Sequence, residues 1–287
     1  MELALPITIY WDLNPSEPAS AELEQIAGDI LTVRPLMLQI LDPSPQASQG
    51  LLQILRTVQG FPLKITLTAG LQFLLAGVDA SAAGFGRVEL LASISTPSDL
   101  QQLPTGRILG VSCPVTRENW RSLPEIVHEC RSRGIARLVL PMQRLYGCEQ
   151  PFLLTRVEQD ELTRALERTG GTTGLNLTIH DPFLWRAFNP SIPFPQGGCQ
   201  AANTMVAISP DRGVYPCPTL PVRLGSLKDQ RFPEILVSIV KREFRRRLLE
   251  FPAACDACAE LAVCKGGCRG RSFAMQGTFD AIDQACR

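Results

Sequence analysis

The chain lacks the sequence features of several large functional classes. It contains no G-x-S-x-G motif and no Walker-type phosphate loop, which gives no support to a serine hydrolase or a P-loop nucleotidase. It has only two histidines in 287 residues. Its 28 Lys and Arg residues balance its 28 Asp and Glu residues, so no overall field favours nucleic acid or an anionic membrane as a partner.

Long hydrophobic runs are also missing. No stretch reaches the roughly 20 apolar residues of a membrane-spanning helix. The opening residues, 1–6, carry no basic region and no apolar run of the signal-peptide type. These absences predict a cytoplasmic, reducing location, in which cysteine thiols stay free for metal binding.

Cysteine is the residue that the chain has in excess. Seven of its ten cysteines fall in the last part of the chain: Cys199, Cys217, Cys255, Cys258, Cys264, Cys268 and Cys286. Four of them occupy the fourteen residues 255–268, with Gly266, Gly267 and Gly270 beside the last two. Glycine lets the backbone turn tightly, so that neighbouring sulfurs can converge on one inorganic core.

Three interpretations of these cysteines are possible. Soft thiolates suit an iron–sulfur cluster or zinc. Seven ligands exceed the needs of one zinc site, which favours iron and sulfide, although zinc in the 255–268 block stays open as an alternative. A disulfide framework is disfavoured because the chain is large enough to form its own core and shows no export signal.

The spacing C-x2-C-x5-C-x3-C from Cys255 to Cys268 resembles the SPASM domain, the auxiliary-cluster module of peptide-modifying radical SAM enzymes. Arg212 stands where that family has a glycine, so a distorted turn is expected before Cys217. The resemblance implies one or two 4Fe-4S clusters. One set of ligands is Cys255, Cys258, Cys264 and Cys286, and the other is Cys199, Cys217 and Cys268, which is one ligand short.

Before Cys199, short apolar runs alternate with helical patterns. The predicted strands are residues 6–13, 36–41, 63–68, 87–94, 107–112, 137–140 and 174–180, and capping boxes are predicted at Ser122 with Glu125 and at Thr155 with Glu158. This alternation predicts an α/β fold with a full or partial (β/α) barrel. We assign the barrel to residues 1–188, a Pro/Gly-rich connector to 189–198 and the cysteine-rich SPASM-like domain to 199–287.

The barrel part resembles that of radical SAM/SPASM enzymes, notably in the segments 7–13 and 111–135. Two departures stand out. The loop after the first strand, Asn14–Ser20, has none of the three cysteines that hold the family's S-adenosylmethionine-binding cluster. Residues 42–45 read Asp-Pro-Ser-Pro in place of Gly-Gly-Glu-Pro. The resemblance therefore implies no S-adenosylmethionine site and no catalytic residues.

The nearest resemblance is to the SPASM-domain proteins of the GeoRSP peptide-maturation system. It implies a non-catalytic partner of a radical SAM/SPASM enzyme that acts in peptide docking, electron transfer or both. The implied partners are that enzyme and a precursor peptide or peptide-chaperone-like protein. The alternatives are an iron–sulfur enzyme that uses an open iron site without S-adenosylmethionine, and a structural zinc protein.

Other candidate residues have ordinary structural interpretations. Cys113, Cys130 and Cys148 share no ligand spacing and are predicted to be core cysteines. His180 ends a predicted strand, where a hydrogen-bonded structural role is favoured over a catalytic one. The basic run 241–247 is interpreted as the solvated face of one amphipathic helix spanning 235–249.

Overall fold

The computed structural model describes residues 3–75, 88–103, 110–147, 149–195 and 198–286. Ten strands in these ranges form a single sheet. They are β1 (Thr8–Asp12), β2 (Met37–Asp42), β3 (Lys64–Gly70), β4 (Val88–Ser93), β5 (Gly110–Ser112), β6 (Arg137–Leu140), β7 (Asn176–Ile179), β8 (Met205–Ile208), β9 (Gly213–Tyr215) and β10 (Gly225–Ser226).

The same ranges contain eleven α-helices. They are α1 (Ala21–Val33), α2 (Gln49–Thr57), α3 (Leu71–Leu75), α4 (Pro97–Gln101), α5 (Leu123–Ser132), α6 (Arg156–Arg168), α7 (Pro182–Phe188), α8 (Phe232–Val237), α9 (Ile239–Leu249), α10 (Leu261–Cys264) and α11 (Arg269–Gln276). Among them none is both long and apolar enough to cross a lipid bilayer.

The sheet is a partial barrel with a hairpin added at one edge. Strands β1 to β7 lie side by side in chain order and run parallel, as successive βα units predict. Strand β8 pairs in parallel with the outer edge of β1, and β9 and β10 follow antiparallel. Within the described residues the strand order ends at β7 and β10, so the barrel is not closed.

All seven predicted strands of the barrel are confirmed, with ends that shift by a few residues. For the fifth, only Gly110–Ser112 is seen as a strand, because residues 107–109 lie outside the described ranges. The hairpin of β8 and β9 is not among the predicted strands. It makes the cysteine-rich part of the chain share one sheet with the barrel.

The two faces of the sheet differ in polarity because side chains alternate along each strand. The row that packs against the helices is apolar: Trp11, Ile40, Leu67 and Leu90. The next row, on the inner face, is polar: Tyr10, Gln39, Thr66 and Glu89. Glu89 pairs there with Lys64 and Arg137, each at 2.7 Å. This row therefore places polar and charged groups on the inner face, opposite the apolar core that packs against the helices.

Of the two predicted capping boxes, one is confirmed. Ser20 accepts a hydrogen bond from the Leu23 amide at the start of α1, and Thr155 with Glu158 forms the predicted capping box of α6. The box predicted at Ser122 is wrong. A 3-10 turn, Trp120–Ser122, leads into α5, so Ser122 already has helical backbone angles and makes no cap bond.

The basic segment also differs from its prediction. Ser238 has an extended backbone and divides the segment into α8 and α9 instead of one helix. Two cations of the run are buried instead of solvated. The Lys241 Nζ donates to the Ala4 carbonyl at 2.8 Å, and Arg245 donates to the Cys199 carbonyl at 2.6 Å. These contacts attach α9 to the chain start and to the cysteine region.

Candidate iron–sulfur sites

The first group of predicted ligands lies around the hairpin. Cys199 precedes β8, Cys217 follows β9 and Cys268 directly precedes α11. All three line one cavity of about 320 Å³, which Cys264 also borders. The hairpin brings the first two together, since the amide of Ala202 donates to the carbonyl of Pro216 at 2.8 Å.

Burial raises the pKa of all three thiols. The pKa of Cys217 is raised well above its ordinary value, first by burial and then by the neighbouring Cys199 and Cys268. Burial raises the pKa of Cys268 to about 12 despite the nearby Arg271. The pKa of Cys199 is likewise raised by burial, against the pull of Arg245. Thiols in this setting become thiolates when a metal centre binds them.

The second group is formed by Cys255, Cys258, Cys264 and Cys286. Burial raises the pKa of Cys255 and of Cys286, and in both cases the next causes are Cys264 and Cys258. Each of the two thiols therefore lies within electrostatic reach of the same pair. Tight turns produce this proximity: the amide of Cys258 donates to the carbonyl of Cys255, and that of Cys286 to Asp283, both at 2.9 Å.

Two glycines allow the close approach between the groups. Gly266 and Gly267 have φ of +87° and +69°, a left-handed conformation that disfavours side chains. A Cβ on Gly267 would lie 2.7 Å from the Asp283 Oδ2 and 2.9 Å from the Phe183 ring. A Cβ on Gly266 would meet the Pro252 ring at 2.8 Å. Glycine is needed at both positions for space as well as for backbone angle.

The donor set consists of soft thiols, which suit an iron–sulfur cluster or zinc. Within the ranges that the structure describes, no three His, Cys, Asp or Glu side chains converge as around a single metal ion. Zinc draws its ligands to about 2.0–2.3 Å from one centre. A cubane instead spreads its four thiolate ligands over a multi-iron core. The seven thiols exceed the ligands of one zinc site, and three of those predicted for one cluster line a cavity.

Comparison with known families gives the identity of this region. Residues 199–259 match the SPASM family, described as an iron-sulfur cluster-binding domain. The chain carries a SPASM domain. The matched range includes Cys199, Cys217, Cys255 and Cys258, and the remaining three cysteines follow it.

Two curated relatives each match this chain over slightly less than 200 residues. An AdoMet-dependent heme synthase of Oleidesulfovibrio alaskensis is 38% identical over 198 residues, which is 61% of this chain and 50% of the relative. A PqqA peptide cyclase of Granulibacter bethesdensis is 24% identical over 193 residues, 63% of this chain and 50% of the relative. The chain thus spans about half the length of each.

Solved structures show the same fold. The crystal structure of Streptococcus suis SuiB matches with a TM-score of 0.67 at 15% identity, covering 99% of this chain and 78% of SuiB. The structure of anSMEcpe with bound AdoMet and a Cp18Cys peptide matches with a TM-score of 0.62 at 15% identity, covering 97% and 94%. The predicted radical SAM-type α/β fold with a C-terminal SPASM domain is confirmed.

Buried arginines neutralise charge around the SPASM cysteines. Arg271 is 1% exposed and donates to the Asp283 carboxylate through two nitrogens, each at 2.7 Å, and also to Asp181. Burial lowers the pKa of Arg271, but the two carboxylates outweigh burial and raise it well above its ordinary value. Arg271 therefore stays charged beside Cys268. Its partner Asp283 also accepts the Cys268 amide at 2.7 Å and fixes the backbone of this cysteine.

Arg245 and Arg269 act in the same region. Arg269 is 2% exposed, donates to the carbonyls of Glu250 and Phe279, and lowers the pKa of Cys199 and Cys255 against burial. Arg269 and Arg271 are not among the residues predicted from the sequence, whereas Arg245 belongs to the run 241–247 that was predicted to be solvated. A partial indication is visible in the sequence, where Arg269 and Arg271, separated by Gly270, come directly after Cys268.

The remaining cysteines and the two histidines are not among the predicted cluster ligands. Cys113 and Cys130 are fully buried in the outer core, as predicted, and burial raises the pKa of each to about 12. The predicted core cysteine Cys148 lies outside the described residues. His128 is exposed on α5, whereas His180 lines the cavity of the SPASM cysteines.

The loop that lacks the radical SAM cysteines is held by protein contacts. Glu17 and Arg212 form an ion pair at 2.7 Å with side chains only 5% and 7% exposed. Glu17 also accepts the Asn14 amide at 3.0 Å, and its carbonyl accepts the Gly50 amide at 2.7 Å. A Cβ on Gly50 would lie 2.6 Å from the Glu17 side chain, so the loop packs directly on the start of α2.

Arg212, the residue that replaces the family's glycine, adopts φ of +69° at the turn between β8 and β9. A non-glycine residue in this region costs about 1–2 kcal/mol. The expected distortion is therefore local backbone strain within an intact turn. The buried ion pair with Glu17 offsets that strain and connects the SPASM hairpin to the loop after β1.

The segment at the Gly-Gly-Glu-Pro position is also held by hydrogen bonds, among its own residues and to the loop after β1. Asp42, which is fully buried, accepts hydrogen bonds from the Ser44 amide and the Ser48 hydroxyl, both at 3.0 Å. The Ser44 hydroxyl accepts the Ser16 amide at 2.8 Å. The two altered loops are thus bonded to each other.

Removing Arg212 alone should destabilise the chain strongly, because Glu17 would remain as an unpaired buried carboxylate. We expect Arg212→Ala to lower the free energy of unfolding by about 3–5 kcal/mol, measured by anaerobic urea unfolding at pH 7. The matched control is Arg223→Ala, whose ion pair with Asp211 on the same hairpin is exposed and contributes about 0–1 kcal/mol. Equal losses in both variants would contradict the role of the buried pair.

The same pair makes stability depend on pH. Burial raises the pKa of Glu17, but hydrogen bonds from Arg212 and Asn14 outweigh burial and hold it below its ordinary value. The stabilisation is complete above the unfolded pKa of about 4.3 and is lost as pH falls through the lower folded pKa. Arg212→Ala should therefore lose less stability on acidification than the unmodified chain.

The two cysteine groups predict separable losses of iron. We expect Cys217→Ala and Cys258→Ala each to lower iron and acid-labile sulfide by about half, because each removes a ligand from a different 4Fe-4S cluster. Cys130→Ala, in the outer core, is the control that should keep the full content. If either ligand variant lost all iron while remaining folded by circular dichroism, the division into two sets would be wrong.

Proposed function

We propose that this chain is an iron–sulfur protein with two 4Fe-4S clusters and that it serves as a non-catalytic partner of a radical SAM/SPASM enzyme in the modification of a precursor peptide. The observation that carries the proposal is the Glu17–Arg212 pair. It places a buried salt bridge in the loop that bears the cluster cysteines in radical SAM enzymes, and that loop contains no thiol in this chain.

The proposed ligands are Cys255, Cys258, Cys264 and Cys286 for one cluster, and Cys199, Cys217 and Cys268 for the other. A bound cluster supplies one-electron redox chemistry. The protein's contribution is to exclude water and to compensate the negative charge of the thiolates. Arg269 serves this purpose because it is buried, is held by backbone carbonyls and lowers the pKa of Cys199 and Cys255 against burial.

A peptide partner is supported by the relatives and by an available edge. One relative is named for the cyclisation of the PqqA peptide, and a SuiB structure contains the precursor peptide SuiA. In this chain β7 has no strand beyond it within the described residues, and its four residues are half-buried or exposed. An extended peptide can add to such an edge through backbone hydrogen bonds with little demand on sequence.

The isolated chain should neither bind nor cleave S-adenosylmethionine. Both altered loops lack the residues that hold this cofactor in the related enzymes, and their polar groups are bonded to each other. Calorimetric titration of the iron-loaded protein should show no specific heat, and the reduced protein should form no 5′-deoxyadenosine. Turnover by the isolated chain would overturn the non-catalytic assignment.

The iron-loaded chain should bind a radical SAM/SPASM enzyme, its precursor peptide or both. We expect an affinity near 1 μM, about −8 kcal/mol, as suits a transient contact. Pull-down and titration with each candidate, alone and together, measure it. The Arg223→Ala variant is a surface control that should bind equally well. Absence of binding to every combination would leave a stand-alone metalloprotein as the better account.

One observation favours a second candidate function. The set of Cys199, Cys217 and Cys268 is one ligand short and borders a cavity, as an enzyme with an open iron site would require. In that case a small molecule added to the reduced protein should change the cluster's electron paramagnetic resonance spectrum. Stoichiometric zinc without sulfide after anaerobic reconstitution would instead support the structural zinc alternative.

A further inference from the structure

The cluster proposed at Cys199, Cys217 and Cys268 has only three cysteine ligands for four irons. The inference below rests on the proposed iron–sulfur function and concerns the fourth donor. Any donor has to reach the cavity of about 320 Å³ that these three cysteines line. The polar side chains that line it are Gln143, His180, Asp181, Gln200, Thr219, Arg269 and Arg271.

Most of these side chains are already engaged. Asp181 caps α7 by accepting the amides of Phe183 and Leu184 at 2.9 and 3.0 Å, and its other oxygen pairs with Arg271. Guanidinium groups have no lone pair to offer a metal. Asp181 is thus held away from ligation by three donors.

The amide and hydroxyl groups are engaged as well. Gln143 uses its oxygen and its nitrogen on the backbone of Phe152, at 2.7 and 2.6 Å. Thr219 donates to the carbonyl of Gln143 at 3.0 Å. Gln200 accepts from the Asn203 amide at 3.0 Å. Each of these groups would have to give up a contact before binding iron.

His180 is the exception. No residue in the described ranges makes a hydrogen bond to its imidazole. Its ring stands edge-on to Tyr10, with centroids 6.3 Å apart, and Tyr10 is itself within electrostatic reach of Cys217. The backbone on either side is fixed by the end of β7 and the start of α7. The imidazole thus has no hydrogen-bond partner in the described ranges and lines the same cavity as the three thiols.

The chemistry of the ring agrees with this position. Imidazole is a suitable ligand for iron, and the neutral form carries the lone pair that binds it. Burial, with Arg144 nearby, lowers the pKa of His180 to about 4, so the ring is neutral at physiological pH. The thioethers of Met142 and Met205 also line the cavity, but they lack the basicity of imidazole.

We propose that His180 is the fourth ligand of the cluster held by Cys199, Cys217 and Cys268. A neutral imidazole in place of a thiolate leaves that cluster one negative charge lighter than its neighbour. Replacing cysteine by histidine raises the reduction potential in other iron–sulfur centres. The two clusters of this chain therefore differ in potential, and the histidine-bound cluster is reduced first.

The small number of histidines permits a direct test. The untagged full chain has only His128 and His180, so labelling histidine with nitrogen-15 marks two positions. Pulsed electron paramagnetic resonance of the reduced, cluster-loaded protein should show a nitrogen-15 coupling strong enough for a direct iron–nitrogen bond. The coupling should vanish in His180→Ala and persist in His128→Ala, where the exposed histidine of α5 is removed.

A second variant separates ligation from folding. His180→Cys should keep the iron content, lose the nitrogen coupling and shift the reduction potential of that cluster to a more negative value. A cluster-loaded chain without histidine coupling, or with a coupling that survives His180→Ala, overturns the proposal. This holds for the unmodified protein even if a variant fails to fold. A chain that binds no iron at all would instead defeat the iron–sulfur function on which the proposal rests.

Discussion

The parallel pairing of β8 with β1 is the contact on which the other features depend. β8 and β9 form a hairpin whose turn and open end lie at different parts of the site. Its turn carries Arg212 to the loop after β1, and its open end carries Cys199 and Cys217. Beyond that end, the carbonyl of Pro218 accepts the Leu145 amide at 2.9 Å, so the hairpin also reaches the segment after β6. One strand pairing thereby places the SPASM cysteines against the barrel.

Burying so many thiols creates an electrostatic requirement. A cluster with several thiolate ligands carries negative charge, and burying charge is costly unless opposite charge lies close by. Arg245 and Arg269 provide it, because both donate to backbone carbonyls, which carry no net negative charge. Arg271 remains charged because Asp181 and Asp283 balance it. Positive groups held by the backbone in this way lie close to the cysteines without a need for further side-chain ordering.

The elements predicted from the sequence are those that depend on local patterns. The barrel strands follow from alternation between apolar runs and helices, and the Thr155 cap follows from a spacing of three residues. The Ser122 box had the same spacing but failed, because the preceding turn had already set its backbone angles. The β8–β9 hairpin had local signals too, an apolar run followed by Pro-Asp-Arg-Gly, yet its partner β1 lies nearly two hundred residues earlier. No periodicity indicates such a pairing.

In the candidate site, too, the local features could be predicted from the sequence and the long-range contacts could not. The cysteine spacing is local and identified the SPASM domain, whereas the contacts that complete the site link distant residues, with Glu17 and Arg212 separated by 195 positions. Each of these two residues is favourable only in the presence of the other. An arginine in place of the turn glycine costs backbone strain, and a glutamate in a buried loop costs desolvation, so each alone would destabilise the chain. Together they form one buried pair, and a second carboxylate, Glu22, lies 3.6 Å from the Arg212 Nε. The loop after β1 and the turn of the SPASM hairpin are therefore coupled through this ion pair, although they lie far apart in the sequence.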